Sequence, residues 1–161
     1  MLLTIDRKRM RAGLWAGLLL IPLLVPATPS WSTISSELEQ QLESAKYVYI
    51  SSTRQDGSLG AKAEIWFMYH GGAVYVGTRP TSWRVKRIRW GRPQAKIWVG
   101  SPEGPSLATV GEVVNDEAAQ QMMLETFGKK YPDGWKKYEE SFRKGFKDGS
   151  RVLVKYTPVD Q

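Results

Sequence analysis

Apolar residues occur along the chain in two patterns, short β-rich runs and repeats at three- and four-residue steps. Together these patterns predict strands with helices inserted between them. Runs rich in β-branched and aromatic residues, bounded by glycine, proline, aspartate or serine, are typical of short strands. They cover residues 47–53, 61–69, 73–78, 96–99, 107–114 and 151–157. Tight turns such as Asp56-Gly57 and Gly71-Gly72 favour antiparallel pairing of successive strands. The sequence therefore predicts about six strands, most of them antiparallel.

Apolar residues at three- and four-residue steps predict four helices. The first covers 33–46 with Ser35 or Ser36 as its cap, the second begins at Thr81 or Ser82 and stops at Gly91, the third begins at Asn115 or Asp116 and ends near Lys130, and the fourth runs from Trp135 to Phe146. Helices placed in this way do not make the alternating pattern of a parallel βαβ sheet. We therefore predict a mainly β, α+β fold: a small antiparallel β-barrel with helices packed outside it.

The first 32 residues have the composition of a targeting segment. Four cations between Arg7 and Arg11 precede an apolar run from Ala12 to Val25, and small and polar residues follow. This order is typical of a secretory signal peptide. The run is shorter than the roughly 20 residues of a comfortable membrane span and contains Pro22, so a short uncleaved anchor is the alternative. Both interpretations predict that residues 33–161 form an exported, periplasmic or extracytoplasmic domain.

Much of the net charge of +7 lies in one stretch, from Gly71 to Val99. Its cations are Arg79, Arg84, Lys86, Arg87, Arg89, Arg92 and Lys96, and no Asp or Glu occurs between Ile65 and Pro102. Thr78, Thr81 and Ser82 place hydroxyl groups beside the start of the second helix. Cations, hydroxyls and free helix N–H groups together bind anions such as phosphate. The alternative is a solvated basic helix face, but the lack of interleaved acidic residues favours the anion site.

The remaining chemistry of the sequence is sparse. The chain has no cysteine, which excludes disulfides, thiolate metal sites and a cysteine nucleophile. Its single histidine, His70, lies in a turn with no other metal-ligating residues close by in the sequence, so we expect a solvated turn residue. No catalytic triad or carboxylate pair is recognisable. We do not expect nucleic-acid binding, because the aromatic residues have the spacing of core positions.

The order of these segments resembles a known family. The segments are Tyr47–Thr53, Asp56-Gly57, Ile65–Phe67, Gly71–Thr78, Ser82–Ile88, Arg92–Ile97, Gly111–Asp116 and a closing Val152–Pro158. Together they resemble the pyridoxamine 5′-phosphate oxidase-like family of flavin-binding split β-barrels. The resemblance covers about Tyr47 to Pro158, and it rests on order and spacing rather than on any single motif.

The resemblance implies a six-stranded antiparallel split β-barrel that pairs as a homodimer and binds FMN, or a deazaflavin relative, between its subunits. In the family pattern, a hydroxyl residue at the end of the third strand and a Ser-x-Lys or Ser-x-Arg element hold the cofactor phosphate. Those positions fall on Thr78, Ser82 and Arg84, with Lys86 and Arg87 close behind; Lys62 on the second strand is a further candidate.

Two functions follow from the resemblance. The first is a flavin-dependent oxidoreductase acting on a small-molecule substrate, with the redox chemistry supplied by the flavin ring. The alternative is an exported non-catalytic split-barrel protein that binds a flavin, a deazaflavin or haem, since some relatives of this fold handle haem. A binding module of this kind could also contact anionic lipid head groups beside its N-terminal segment.

Overall fold

Seven strands and four helices form the structure of this protein, a computed structural model that describes residues 34–160. In chain order they are α1 (Ser36–Ser44), β1 (Val48–Ser52), β2 (Ala63–Ile65), β3 (Met68–His70), β4 (Ala73–Thr78), α2 (Trp83–Arg89), β5 (Gln94–Val99), β6 (Ser106–Val114), α3 (Glu117–Lys130), α4 (Pro132–Asp148) and β7 (Val152–Pro158). The predicted signal peptide or anchor at 1–32 lies outside the described residues. Within them, no helix is long and apolar enough to cross a membrane.

All seven strands belong to one antiparallel sheet with the order β2-β1-β5-β6-β7-β4-β3. The two edge strands, β2 and β3, are neighbours in sequence and only Trp66 and Phe67 separate them. A link of this length spans at most about 11 Å. The sheet must therefore curl until its edges approach each other, which produces the antiparallel barrel that the sequence pattern predicted, in the split form that the resemblance implied.

The prediction of six strands was too low by one, because residues 61–69 do not form a single strand. The chain turns at Phe67, and the Tyr131 hydroxyl takes the place of the missing strand partners. It accepts a hydrogen bond from the Phe67 N–H (3.1 Å), lies 3.2 Å from the Phe67 carbonyl and donates to the Lys46 carbonyl (2.8 Å). A tyrosine 64 residues away thus satisfies the backbone at the corner, and local sequence cannot reveal this.

Most other boundaries agree with the prediction, with small corrections at the caps. Asp116, one of the two predicted caps, accepts a hydrogen bond from the Ala119 N–H at 3.0 Å. The fourth helix starts earlier than expected, at Pro132, which occupies its first turn, where its missing N–H costs nothing. Gly111 sits in an unbroken strand register, at a point where the backbone is closely approached by a side chain. A Cβ there would lie 2.7 Å from the Tyr156 ring.

Two apolar clusters lie on opposite sides of the sheet. The barrel interior holds aliphatic residues together with Phe67 and Tyr156, and Val85 of α2 closes it from one end. The outer cluster joins α3 and α4 to the sheet and is largely aromatic. Its centre is Phe127, which makes edge-on contacts with Trp66, Tyr131, Trp135 and Phe142. The fold therefore has an aliphatic barrel and an aromatic outer layer, which meet at the corner.

Candidate functional site

The candidate site lies where β4 ends and α2 begins. Val85 is buried and Ile88 packs beside it against the barrel interior, and this fixes the orientation of the short helix. Ser82 precedes the helix in an extended conformation, but its hydroxyl makes no capping hydrogen bond. The side chains of Ser82, Arg84 and Arg87 all reach the same cavity. The hydrophobic side of α2 therefore positions the polar residues on either side of it.

A cavity of about 310 Å³ collects five of the six residues that the sequence and the resemblance suggested as phosphate ligands. They are Lys62, Thr78, Ser82, Arg84 and Arg87, and the remaining wall is formed by Ile50, Ser52, Ala61, Ala63 and Trp83. No carboxylate lines this cavity. The sixth candidate, Lys86, is not part of the lining; its ammonium lies 5.0 Å from the Trp83 ring.

Several polar groups at this end of the barrel are buried without a partner. Ser82 Oγ, Arg84 Nη1 and the Tyr156 hydroxyl have no hydrogen-bond partner among the described residues. Burial lowers the pKa of Arg84 and raises the pKa of Tyr156. The charge interaction between the two side chains opposes both of these pKa shifts. An unpartnered buried polar group costs roughly 1–3 kcal/mol. An anion in the cavity would remove this cost for Ser82 and Arg84.

The other two cations of the cavity are already engaged. Arg87 donates from Nη1 to the carbonyl and to the hydroxyl of Ser52, both at 2.7 Å. Lys62 donates to the Pro102 carbonyl, and its ammonium lies 4.1 Å from the centre of the Trp98 ring. These contacts hold two positive charges at the cavity wall. Arg87 and Lys62 therefore contribute mainly electrostatic attraction, while Ser82 and Arg84 have free hydrogen-bonding capacity.

A second cavity, of about 610 Å³, lies beside the first and shares Thr78 and Ser82 with it. Its apolar wall combines Tyr47, Ile65, Trp66, Tyr138 and Phe142. Trp66 is held flat against Tyr131, with ring centroids 4.5 Å apart and an interplanar angle of 4°. This cavity therefore offers wide, fixed aromatic surfaces of the kind on which a planar ring system stacks.

Two arginines, Arg79 and Arg151, also line the larger cavity. The Arg151 guanidinium lies 3.7 Å from the Phe142 ring centre, and its Nε is buried without a partner among the described residues. Burial and the nearby charge of Arg79 both lower the pKa of Arg151. The only carboxylate in this lining, Glu64, accepts a hydrogen bond from the Tyr49 hydroxyl at 2.5 Å. The larger cavity thus has a positive side of its own.

Sequence reasoning did not include Arg151, Tyr138 or Phe142 among the site residues. The two aromatics were assigned to helix packing, and Arg151 to the start of the last strand. Arg151 reaches the site because β7 pairs with β4, which places Val152 opposite Thr78. Tyr138 and Phe142 reach it because α4 packs on the sheet, where the Phe142 ring fills the space beside Gly77. Neither the strand pairing nor the helix packing can be predicted from the local sequence.

Together the two cavities fit a group that carries an anion at one end and a flat ring at the other. The unpartnered Ser82 and Arg84 suit a phosphate, and the aromatic wall beside them suits a ring. A metal centre is not indicated in the described part of the chain, where no three His, Asp or Glu side chains cluster. His70 is exposed at the end of β3, and it is absent from both cavity linings.

Comparison with known proteins identifies the fold. No family model and no curated protein matches this sequence. Among solved structures, a relative of general stress protein 26 from Clostridium acetobutylicum, described as of the pyridoxinephosphate oxidase family, is similar with a TM-score of 0.53 and 19% identity, over 76% of this chain and 81% of that one. An F420 reductase gives a TM-score of 0.52 and 17% identity, over 79% and 97%.

The haem storage protein HutZ from Vibrio cholerae is similar as well, with a TM-score of 0.55 and 12% identity, over 81% of this chain and 93% of that one. Each similarity spans most of both chains, and the identities are too low to carry residue roles across. The resemblance read from the sequence motifs is confirmed for the architecture. The chain has the split β-barrel fold of the pyridoxamine 5′-phosphate oxidase-like proteins.

Proposed function

We propose that this protein is a flavin-dependent oxidoreductase that binds FMN with its phosphate in the smaller cavity. The observation that carries the proposal is the pair of buried, unpartnered groups, Ser82 Oγ and Arg84 Nη1, at the start of α2. No carboxylate lines this cavity, so an anionic ligand would meet no like charge there and could accept hydrogen bonds from both groups. Thr78, Lys62 and Arg87 line the same cavity and add a hydroxyl and two positive charges. Lys86, outside the lining, would add only long-range attraction.

The larger cavity would hold the flavin ring against its aromatic wall. Bound FMN supplies the hydride and electron transfer, and the chain's own residues bind, orient and shield it. Trp66 and Tyr138 would cover the ring and exclude water. Arg79 and Arg151 would neutralise negative charge on the ring or on a small-molecule substrate beside it. Arg79 directly follows Thr78 and Arg151 directly precedes Val152, and Thr78 and Val152 are paired in the β4–β7 register, so the sheet brings the two arginines to the same end of the cavity.

A homodimer is part of the proposal, because the resemblance implies a cofactor groove shared by two subunits. Export remains part of it too, because the sequence of residues 1–32 predicts a signal peptide or a short anchor that would tether the domain to the membrane. Neither the dimer nor the export is used in the argument that the smaller cavity binds the FMN phosphate. The assignment of FMN to the cavity can therefore be tested on its own.

The alternative is an exported, non-catalytic carrier with the same cavities. It is favoured by the range of chemistry among proteins of this fold, which include an F420 reductase and a haem storage protein. A deazaflavin would use the same phosphate and ring surfaces as FMN. Haem would instead need an axial ligand, and the described cavities offer tyrosines rather than histidine for that role.

The test is a titration of the purified protein with FMN, followed by flavin absorbance and fluorescence, with a deazaflavin and haemin as competitors. Arg84→Met should weaken FMN binding roughly 10- to 100-fold, the effect of losing a charge-assisted hydrogen bond or two. Arg89→Met is the matched control, because Arg89 is an exposed cation on the same helix, and its effect should stay within about threefold. Equal affinity in wild type and Arg84→Met would remove the phosphate assignment. Uptake of haemin alone would move the protein to the carrier class.

A further inference from the structure

The side of α2 that faces away from the barrel carries two exposed tryptophans. Trp83 is 64% exposed and Trp90 is 55% exposed, and they are the two most exposed large apolar side chains of the described residues. They are seven positions apart in the sequence, which places both on one side of the helix. Their rings meet edge to face with centroids 6.2 Å apart. The exposure is therefore concentrated in one place and not scattered over the surface.

Two cations lie beside these rings, and a third is exposed on α2. Lys86 Nζ lies 5.0 Å from the Trp83 ring centre, the Arg92 guanidinium lies 5.2 Å from the Trp90 ring centre, and Arg89 is exposed between them in sequence. None of the three takes part in an ion pair within residues 34–160. We call the five residues Trp83, Lys86, Arg89, Trp90 and Arg92 the tryptophan stripe. It combines apolar area with unneutralised positive charge.

Neither the core nor the phosphate cavity explains the stripe. The core uses the opposite side of α2, through Val85 and Ile88, and the cavity uses Arg84 and Arg87. Only Trp83 borders that cavity, with most of its surface still exposed. A soluble monomer rarely leaves two neighbouring tryptophans in water, and such a patch usually marks an interaction surface.

We propose that the tryptophan stripe docks this domain on a membrane surface that contains anionic lipids. Indole rings favour the boundary between head groups and acyl chains, because they are both apolar and hydrogen-bond donors. Lysine and arginine beside them are attracted by anionic head groups. Lys86 and Arg92 lie beside the two rings, so apolar area and positive charge occur in one patch. The partner is therefore recognised by its negative charge together with an apolar layer just beneath it.

Two other partners fit the stripe less well. A symmetric dimer through this surface would bring the same cations of two copies face to face, and like charges repel without a counterion between them. Single-stranded nucleic acid binds through rings that are free to stack on bases. Here the two rings contact each other edge to face and have cations close to them, which suits a lipid surface better.

The test is co-sedimentation of the full chain with vesicles of pure phosphatidylcholine and with vesicles that contain about one third phosphatidylglycerol. The N-terminal segment is common to all variants, so its contribution cancels. Binding to the anionic vesicles should exceed binding to the neutral ones. Lys86→Gln with Arg89→Gln should lower it by about fivefold for each cation, and Trp83→Ala with Trp90→Ala should lower it at least about tenfold. The matched control is Lys136→Gln with Lys147→Gln, which removes the same charge from exposed positions of α4.

Each outcome decides between the partners. Loss of anionic-vesicle binding in the two stripe variants, with binding kept in the α4 control, supports the proposal. An equal loss in the α4 control would show that only net charge matters and would overturn it. Sedimentation equilibrium and a fluorescent oligonucleotide provide two more checks. A dimer that dissociates in the Trp83→Ala, Trp90→Ala variant, or oligonucleotide binding as tight as vesicle binding, would also overturn the lipid assignment. Circular dichroism confirms that these surface variants remain folded.

Discussion

Two buried tyrosines show how differently the outer aromatic cluster and the α2 end of the barrel are built. The Tyr131 hydroxyl, in the outer cluster, has backbone partners at Phe67 and Lys46. The Tyr156 hydroxyl, inside the barrel, has no partner among the described residues. Burial raises the pKa of both phenols, so both stay neutral near pH 7. One hydroxyl ties three segments together, and the other leaves its hydrogen-bonding capacity unused.

The same contrast holds for the groups around them. In the outer cluster the aromatic rings contact one another and leave little polar surface to satisfy. At the α2 end, Ser82 and Arg84 are also buried and unpartnered. Folding alone gains nothing from such groups. In the function proposed above, the outer cluster supplies stability, whereas the α2 end keeps polar capacity for a ligand. Four measurements test this contrast.

The largest effect is expected from Tyr131→Phe. This change keeps the stacking on Trp66 but leaves the Phe67 N–H and the Lys46 carbonyl without their partner. The free energy of unfolding should fall by about 2–3 kcal/mol, as measured by urea denaturation. Tyr138→Phe is the control, because no hydrogen bond of the Tyr138 hydroxyl occurs within the described residues, and it should change stability by less than about 0.5 kcal/mol. Equal effects of the two changes would contradict a structural role of the Tyr131 hydroxyl.

A change of opposite sign is expected from Arg84→Met. Methionine fills a similar volume and removes a buried charge that has no counterion, so the free energy of unfolding in phosphate-free buffer should rise by about 1–2 kcal/mol. The same variant should lose FMN affinity. A protein that becomes more stable while it binds less would show that Arg84 serves the ligand and not the fold. Destabilisation by Arg84→Met would instead make it a structural residue.

The third measurement concerns Lys130, a partly buried cation at the outer cluster, and tests whether its burial there costs stability. Its ammonium lies 3.6 Å from the centre of the Phe67 ring, and burial lowers its pKa from the ordinary value to about 8. Between that value and the ordinary pKa, the unfolded chain binds more protons than the folded one, so stability should increase as pH rises. We expect a gain of about 1 kcal/mol from pH 7.5 to pH 9.5, after discounting for the partial exposure of Lys130.

The control for this pH dependence is Lys130→Met, in which the gain should disappear. Measurements stop at about pH 9.5 because tyrosines of the unfolded chain ionise above it. Burial, followed by the hydrogen bond to Glu39, raises the pKa of Tyr69 to about 12, and this shift makes stability fall at still higher pH. The same slope in wild type and Lys130→Met would assign the effect to another group.

The smallest effect is expected from Tyr156→Phe. Its hydroxyl has no partner to lose, so unfolding free energy should change by less than about 0.5 kcal/mol, or increase slightly. A loss as large as that of Tyr131→Phe would show that Tyr156 is tied to the fold, and the contrast between the two regions would not hold. Both variants belong in the same set of denaturation curves.

Much of the fold could be predicted because its strands and helices carry their own local signals. β4 was predicted at its observed limits, and Asp116 was one of the two predicted caps of α3. The error at residues 61–69 has a physical cause, since the corner is fixed by Tyr131, which lies far away in sequence. Hydrophobic periodicity and strand propensity depend on residues that are neighbours along the chain. They cannot predict a break in a strand that is caused by a residue of a distant element.

The candidate site was predicted in part for the same reason. Thr78, Ser82 and Arg84 lie within seven residues and show a motif, whereas Arg151 and Phe142 join them only through strand pairing and the packing of α4 on the sheet. In the sequence, Lys86 is as good a candidate phosphate ligand as Arg84, because the two cations belong to one basic run and are only two positions apart. Only the helix geometry shows that one side chain reaches the cavity and the other lies over the Trp83 ring.

The corner at Trp66 and Phe67 has a consequence for how the protein folds. It joins the two edges of the sheet, β2 and β3, and the barrel is closed only when the five strands between them have paired. We therefore expect closure to be a late kinetic step, after which Ile65 and Trp66 form part of the cavity wall. If FMN binds as proposed, stopped-flow refolding in its presence should show flavin quenching that lags behind β-sheet formation. Quenching that keeps pace with the sheet would mean that the seam closes early.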